Sequence, residues 1–320
     1  MYEMERAKPA MKPAALFLSS GDVLADARYE RAKAYAAEGD RAAAADLLMQ
    51  TLERAPRFAS AWFALGEIRA ETGDRVGAIA AFRAALAADP SDCHGAALKL
   101  ARLGAGDPAD AMAPGYVRSL FDQYAANFDQ ALVEGLGYRG PALLRAALRA
   151  ATVARQRPFH FARALDLGCG TGLVAEALRA HCGTIAGVDL SPAMAAAARR
   201  KGLYADVAVG DMSDFIAARP EGSCDLIIAG DAFVYLADLA PVCRAAAPAL
   251  GSDGLFAFTV ETHAGTGVVL GEKLRYAHGA DHVRAALAAA SIVPLTFDHL
   301  ATRSENGVPV PGLLVIASRP

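Results

Sequence analysis

The 320-residue sequence lacks the features that would direct it to a membrane, a nucleic acid or an oxidising compartment. It has no uninterrupted apolar run near the ~18 residues that a transmembrane helix requires, so no membrane partner is expected. Its 32 Lys and Arg against 35 Asp and Glu leave a net charge of −3 with no basic stretch. The electrostatic footprint of a nucleic-acid binder is therefore missing. The five cysteines (Cys93, Cys169, Cys182, Cys224 and Cys243) are scattered, odd in number and without a C-x-x-C pair. That pattern fits a reduced, cytoplasmic protein with no metal site. The opening stretch MYEMERAKPAMKPAALFLSSGD puts acidic residues before a short apolar patch, AALFL, which is too brief for the apolar core of a secretion signal. Residues 1–20 are expected to form a flexible N-terminus.

In its first hundred residues the chain has a repeat. GDRAAAADLLMQTLERAP from Gly39 and GDRVGAIAAFRAALAADP from Gly73 place the same Gly-Asp pair 34 residues apart, and a proline closes each. In the second copy Trp62, Leu65 and Gly66 open one helix, Ala78, Phe82 and Ala85 mark the next, and Pro90 ends it. In the first copy Ala32, Tyr35, Ala44 and Pro56 fit, while Arg28 and Arg31 stand in for the Trp and Leu. This spacing resembles the tetratricopeptide (TPR) pattern, with Arg69 where a tyrosine usually stands. The resemblance implies an all-α domain over 21–110. In it, small residues (Ala32, Gly66) let paired helices approach, and Trp62 and Phe82 fill the groove. A helix over 92–103 is expected to cap the stack. Two repeats bury little by themselves, so the segment is expected to lean on the other domain, on a second copy in a homodimer, or on a protein partner. LGAGDPADAMAPG (103–115) is the expected boundary.

From Phe161 onward short apolar strands alternate with alanine-rich helices. Strands are expected at 163–167, 184–190, 206–210, 224–230 and 254–260. Such alternation predicts an α/β doubly wound parallel sheet, and the two apolar runs around SENGVP predict a closing antiparallel hairpin. The first strand runs into DLGCGTG, with glycines at 168, 170 and 172. A dinucleotide fingerprint, G-x-G-x-x-G, needs a glycine at 173, where this chain has Leu. A pyrophosphate also disfavours a carboxylate such as Asp166 beside the loop, whereas a ligand with a cationic amino-acid tail tolerates it.

DLGCGTG resembles motif I of the class I S-adenosylmethionine-dependent methyltransferases, and the order of motifs over 115–320 agrees. The resemblance implies a Rossmann-like domain over 111–320, with a seven-stranded sheet, helices on both faces and a C-terminal antiparallel hairpin. It implies S-adenosyl-L-methionine as cofactor and S-adenosyl-L-homocysteine as product. Gly168, Cys169, Gly170 and Gly172 then pass under the cofactor, with Asp166 near its amino group. Asp189 and Leu190 of GVDLSPAM fall at the ribose, and Asp211 and Met212 of GDMSDF at the adenine. Asp231, Ala232 and Tyr235 of CDLIIAGDAFVYL fall at the mouth above the methyl group. The segment over 115–150 is implied to be a helical lid, with Tyr124, Phe128 and Tyr138 facing the pocket. Its FDQYAANFD stretch, behind TPR repeats, resembles a group of predicted bacterial methyltransferases.

A methyl group on a sulfonium needs chiefly an acceptor held in line behind it. A base is needed only when the acceptor is protonated at neutral pH. Glu261 and His263 of VETHAG, and Arg275, Tyr276 and His278 of LRYAH, follow the fifth strand. His278, an imidazole near neutrality, is the expected base, and Tyr276, Asp231 and Tyr235 complete the expected catalytic set. His282 reads as a surface helix residue. The expected activity is methyl transfer to a small-molecule acceptor. The alternatives are a protein methyltransferase that recruits its substrate through the repeats and an inactive interaction module.

Overall fold

The computed structural model describes residues 16–320, so positions 1–15 of the expected flexible N-terminus lie outside the described residues. The chain forms two compact units, Pro13–Leu120 and one containing Phe121–Pro320. The first is helical: α1 (Val23–Ala37), α2 (Arg41–Arg54), α3 (Ala59–Glu71), α4 (Arg75–Ala88) and the shorter α5 (Ala96–Arg102).

The repeated Gly-Asp pair has a direct physical reason. Gly39 and Gly73 take left-handed φ of 88° and 86°, which ends the preceding helix. Asp40 and Asp74 then cap α2 and α4 by accepting from the Ala43 and Gly77 N–H groups. Tyr29, Leu48, Phe58 and Leu65 form the buried centre of the first hairpins. Phe82 packs so closely on Gly66 that a Cβ there would lie 2.6 Å from its ring. Residues 17 and 18 are held in place as well: Leu18 bonds through both backbone groups to the Ser60 hydroxyl, and Phe17 stacks on Tyr29.

Helix α6 (Pro114–Tyr124) crosses the division between the units, which falls later than the Gly- and Pro-rich 103–115 stretch. A π-helical turn (Gln130–Gly135) and α7 (Gly140–Ala154) lead to the sheet. There follow β1 (Phe161–Leu167), α8 (Leu173–Leu178), β2 (Cys182–Asp189), α9 (Pro192–Arg200), β3 (Asp206–Val209), α10 (Met212–Ala217) and β4 (Cys224–Ala229). Next come α11 (Ala240–Ala249), β5 (Leu250–Thr262), β6 (Val268–Leu270), β7 (Tyr276–His278), α12 (Ala280–Ala289) and β8 (Val293–Leu300). The chain ends with β9 (Ser304–Glu305), β10 (Val308–Pro309) and β11 (Gly312–Ser318).

The main sheet runs β3-β2-β1-β4-β5-β11-β8. Its first five strands are parallel, and β11 is antiparallel to both of its neighbours. These are the seven strands that the sequence predicts. The β6–β7 pair joins at the carboxyl end of β5 and was not foreseen, because three-residue strands are too short to show alternation. Asn306 and Gly307, at φ of 50° and 78°, make the left-handed two-residue turn between β9 and β10. One apolar face packs α10, α11 and α12 over Leu165, Leu167, Ile227, Phe256 and Phe258. The other packs α7 and α8 over Ala164, Ile185, Leu226 and Ile228. Strand order reverses between β1 and β4, and in such sheets the ligand crevice opens at the carboxyl ends of that strand pair. Among the described residues, no helix is long and apolar enough to cross a membrane.

Candidate active site

The β1–α8 loop occupies this switch point. Gly168, Gly170 and Gly172 all lie in the left-handed region, at φ of 62°, 54° and 97°. At Gly168 a Cβ would come within 2.5 Å of the Ala232 Cβ, so a glycine is what lets the segments after β1 and β4 close on each other. Met212, the first residue of α10, reaches within 3.7 Å of the same position. Cys169 is buried in this loop, and burial pushes its thiol well up, so it is a packing residue that stays protonated.

Three carboxylates surround the loop, each placed by its element. Asp189 ends β2, where it is buried; its Oδ2 accepts from Gly170 N–H at 2.9 Å and its Oδ1 from Ser191 N–H at 2.8 Å. Burial raises its carboxyl above the ordinary range and these two bonds oppose the rise. Leu190 follows it, half-buried. Asp211 caps α10 through Oδ1, which accepts from the Ser213 and Asp214 N–H groups, and is otherwise exposed. Asp166 on β1 is fully buried, and Tyr204 donates to its Oδ2 at 2.6 Å. Its Oδ1 has no partner among the described residues, and burial pushes the acid up to about 7.

The lid segment carries the dipeptide Phe-Asp twice, at 121–122 and 128–129. Phe128 comes within 3.8 Å of the position a Cβ would take on Gly170, packs edge-on against Phe121, and Phe121 packs edge-on against Tyr235. Asp122 accepts from the Ser191 hydroxyl at 2.5 Å and from Ala193 N–H at 3.1 Å. Asp129 accepts from the Thr171 hydroxyl and pairs with Lys201 at 2.8 Å; Lys201 also pairs with Glu176 at 2.9 Å. The two aspartates thus grip the loops on either side of Asp189. Tyr124 lies half-buried at the end of α6, its phenol raised by burial.

Beyond Tyr235, charged side chains close the wall. Asp231, at a left-handed φ of 53°, accepts from the Thr259 hydroxyl, the Thr302 hydroxyl and Arg303 Nη1 (2.6 Å). Arg303 is buried and pairs as well with Glu261, which is shared with Arg275; Arg275 in turn pairs with Glu305.

The structure corrects three of the expected catalytic assignments. His278 does not stand free before a helix. It lies in β7, 0% exposed, with Nε2 donating to the Leu236 carbonyl at 2.8 Å. Its one remaining lone pair, on Nδ1, is buried, which removes it as a base for an incoming acceptor. Tyr276 is likewise fully buried in β7. Asp231 is committed to Arg303 and two hydroxyls. Sequence reasoning missed Tyr204, Asp122, Asp129, Thr302 and Arg303. The doubled Phe-Asp was the one local signal; the others meet only through chain separations of 38 residues or more. Among the described residues, no group of three or more His, Cys, Asp or Glu is placed to hold a metal ion.

Comparison with known proteins bears on this site directly. A family model described as a methyltransferase domain matches residues 165–258, and one described as a tetratricopeptide repeat matches residues 29–92. The chain is 38% identical over 109 residues to human methyltransferase-like protein 27, covering 34% of this chain and 43% of that protein. It is 28% identical over 156 residues to the ubiquinone biosynthesis O-methyltransferase of Xylella fastidiosa, covering 47% and 63%. The chain thus spans less than two thirds of the length of the curated relatives it matches. Among solved structures, a SAM-dependent methyltransferase from Leishmania major superposes with a TM-score of 0.53 at 16% identity, covering 67% of this chain and 87% of that one, a likeness of fold.

Proposed function

This chain carries a methyltransferase domain preceded by tetratricopeptide repeats, and we propose that it uses S-adenosylmethionine to methylate a small molecule. The observation that carries the reading is Asp189. Each carboxylate oxygen accepts one backbone N–H and keeps a further lone pair, so the group can take both hydroxyls of a ribose without releasing either loop. The other residues fit the same ligand. Asp166 Oδ1, buried and unpartnered, suits the cofactor's ammonium. Asp211 keeps Oδ2 for the adenine amine, with Leu190 and Met212 beside it to cover the ring. The glycine loop lets backbone approach the nucleoside closely.

When bound, the cofactor supplies a methyl group already activated on a sulfonium. The chain's part is to orient the acceptor and exclude water, and orientation of this kind is worth on the order of 7–11 kcal/mol. Phe121, Tyr124 and Phe128 cover the site from the lid. Tyr235 lies on the acceptor side, and burial keeps its phenol protonated, so it donates a hydrogen bond to the acceptor. Asp231 supports that wall through Arg303. The relatives that are named as ubiquinone biosynthesis O-methyltransferases support a small acceptor. Calorimetric titration with S-adenosylhomocysteine tests the reading: Asp189→Ala is expected to weaken binding by about ten- to a hundredfold, the cost of lost hydrogen bonds to a charged group. Unchanged affinity would remove Asp189 from the site and the reading with it.

A further inference from the structure

We propose that Tyr204 is a positioning residue that readies Asp166 to hold the cofactor's ammonium, a role that rests on the methyltransferase reading above. Tyr204 belongs to none of the glycine or acidic motifs; it sits in the turn between α9 and β3. Its hydroxyl nevertheless reaches across β2 to Asp166 Oδ2, at 2.6 Å. The reach depends on Gly187, the β2 residue paired with Asp166, where a Cβ would stand 3.0 Å from the tyrosine ring. The ring is also boxed by the last glycine of the loop, since a Cβ on Gly172 would lie 3.1 Å from it. One side chain therefore touches the strand-one acid, its strand-two neighbour and the loop that ends at α8.

The chemistry follows from what each group can do. Burial pushes the Tyr204 phenol far up, so it donates and never ionises. Burial and the charge of neighbouring Asp189 both favour the neutral form of Asp166, and the Tyr204 bond works against them. With Oδ2 engaged, Oδ1 is the oxygen left without a partner. A carboxylate in that state binds an ammonium; a neutral, rotatable carboxylic acid does not. Removing the hydroxyl favours the neutral acid and frees its rotation.

The test compares S-adenosylhomocysteine with 5′-methylthioadenosine, the same nucleoside thioether without the amino-acid end, by calorimetry on the full chain. Tyr204→Phe is expected to weaken S-adenosylhomocysteine about tenfold at neutral pH, the worth of one hydrogen bond to a charged group. The deficit should shrink as the pH is raised and Asp166 ionises unaided, and methylthioadenosine should bind as before. Equal weakening of both ligands, or of neither, overturns the role. Should Tyr204→Phe fail to fold, Asp166→Asn decides: it must lose the preference for S-adenosylhomocysteine over methylthioadenosine while still binding the latter. A preference that Asp166→Asn leaves unaltered overturns the role of Tyr204 while leaving the methyltransferase reading intact. Failure to bind either nucleoside overturns both.

Discussion

An imidazole that is 0% exposed loses its hydration, and desolvation pushes His278 down from 6.5 to about 4. It is therefore neutral at pH 7, with the proton on Nε2 because the Leu236 carbonyl can only accept. Leu236 follows the Phe233–Tyr235 turn, so His278 fixes the backbone that presents Tyr235. The unfolded chain takes up this proton near 6.5 and the folded one only near 4. Stability from this residue is thus complete above the upper value and falls as the pH drops through the window, by about 3 kcal/mol in all. Urea unfolding of His278→Gln at several pH values should show a shallower loss over that window, and an unaltered slope would mean that His278 titrates normally. Arg303 gives the complementary case. It is 5% exposed and pairs with Asp231 and Glu261, so Arg303→Ala leaves partly buried Asp231 with hydroxyl partners and no cation, and Glu261 with Arg275 alone. A loss of about 3–5 kcal/mol in unfolding free energy is expected; a variant as stable as the parent would show that the network is solvated.

At the scale of elements, two aspartates tie the segment after the repeats to the loops around Asp189. Asp122 fastens the end of α6 to the start of α9, and Asp129 fastens the next turn to Thr171 and Lys201. Both loops so gripped are joined at Asp189, so on the proposed reading release of a bound cofactor is expected to require a rearrangement at one of the grips. Lys201 is partly exposed, and pairs of that kind are worth up to about 1 kcal/mol. Lys201→Ala should therefore speed the release of S-adenosylhomocysteine a few-fold, read by stopped-flow, with little change in the unfolding midpoint. An unaltered release rate would show that the lid does not gate exit. These elements also divide what the sequence discloses from what it hides. Strand–helix alternation, the three loop glycines and the acids at strand ends were legible because each depends on neighbours within a few residues. Tyr204 and Arg303 were not, because they matter only through partners 38 and 72 residues away. His278 was misplaced for a related reason: a three-residue strand has no periodicity to reveal that its side chains are buried.

At the scale of the whole molecule, the repeat unit bears on which acceptor the proposed activity serves. Repeat proteins bind peptides on extended concave surfaces, and such a surface needs polar and aromatic side chains to recognise a partner. Here Ala44, Ala78, Ala81 and Ala85 are buried between helices, as are Phe58 and Phe82. Phe58 and Phe82 are thus spent on the unit's own core, whereas Phe17, Leu24, Met49 and Val76 stay exposed. A small acceptor, as proposed above, and a protein substrate recruited by the repeats are the two readings to separate. The two readings separate when the full chain is incubated with S-adenosylmethionine labelled in its methyl group and with a cell lysate. A small acceptor puts the label in the low-mass fraction, where mass spectrometry identifies the product, and Asp189→Ala abolishes it. Label that appears instead in the protein fraction, again lost in Asp189→Ala, would transfer substrate choice to the repeats and displace the small-molecule reading while sparing the cofactor site.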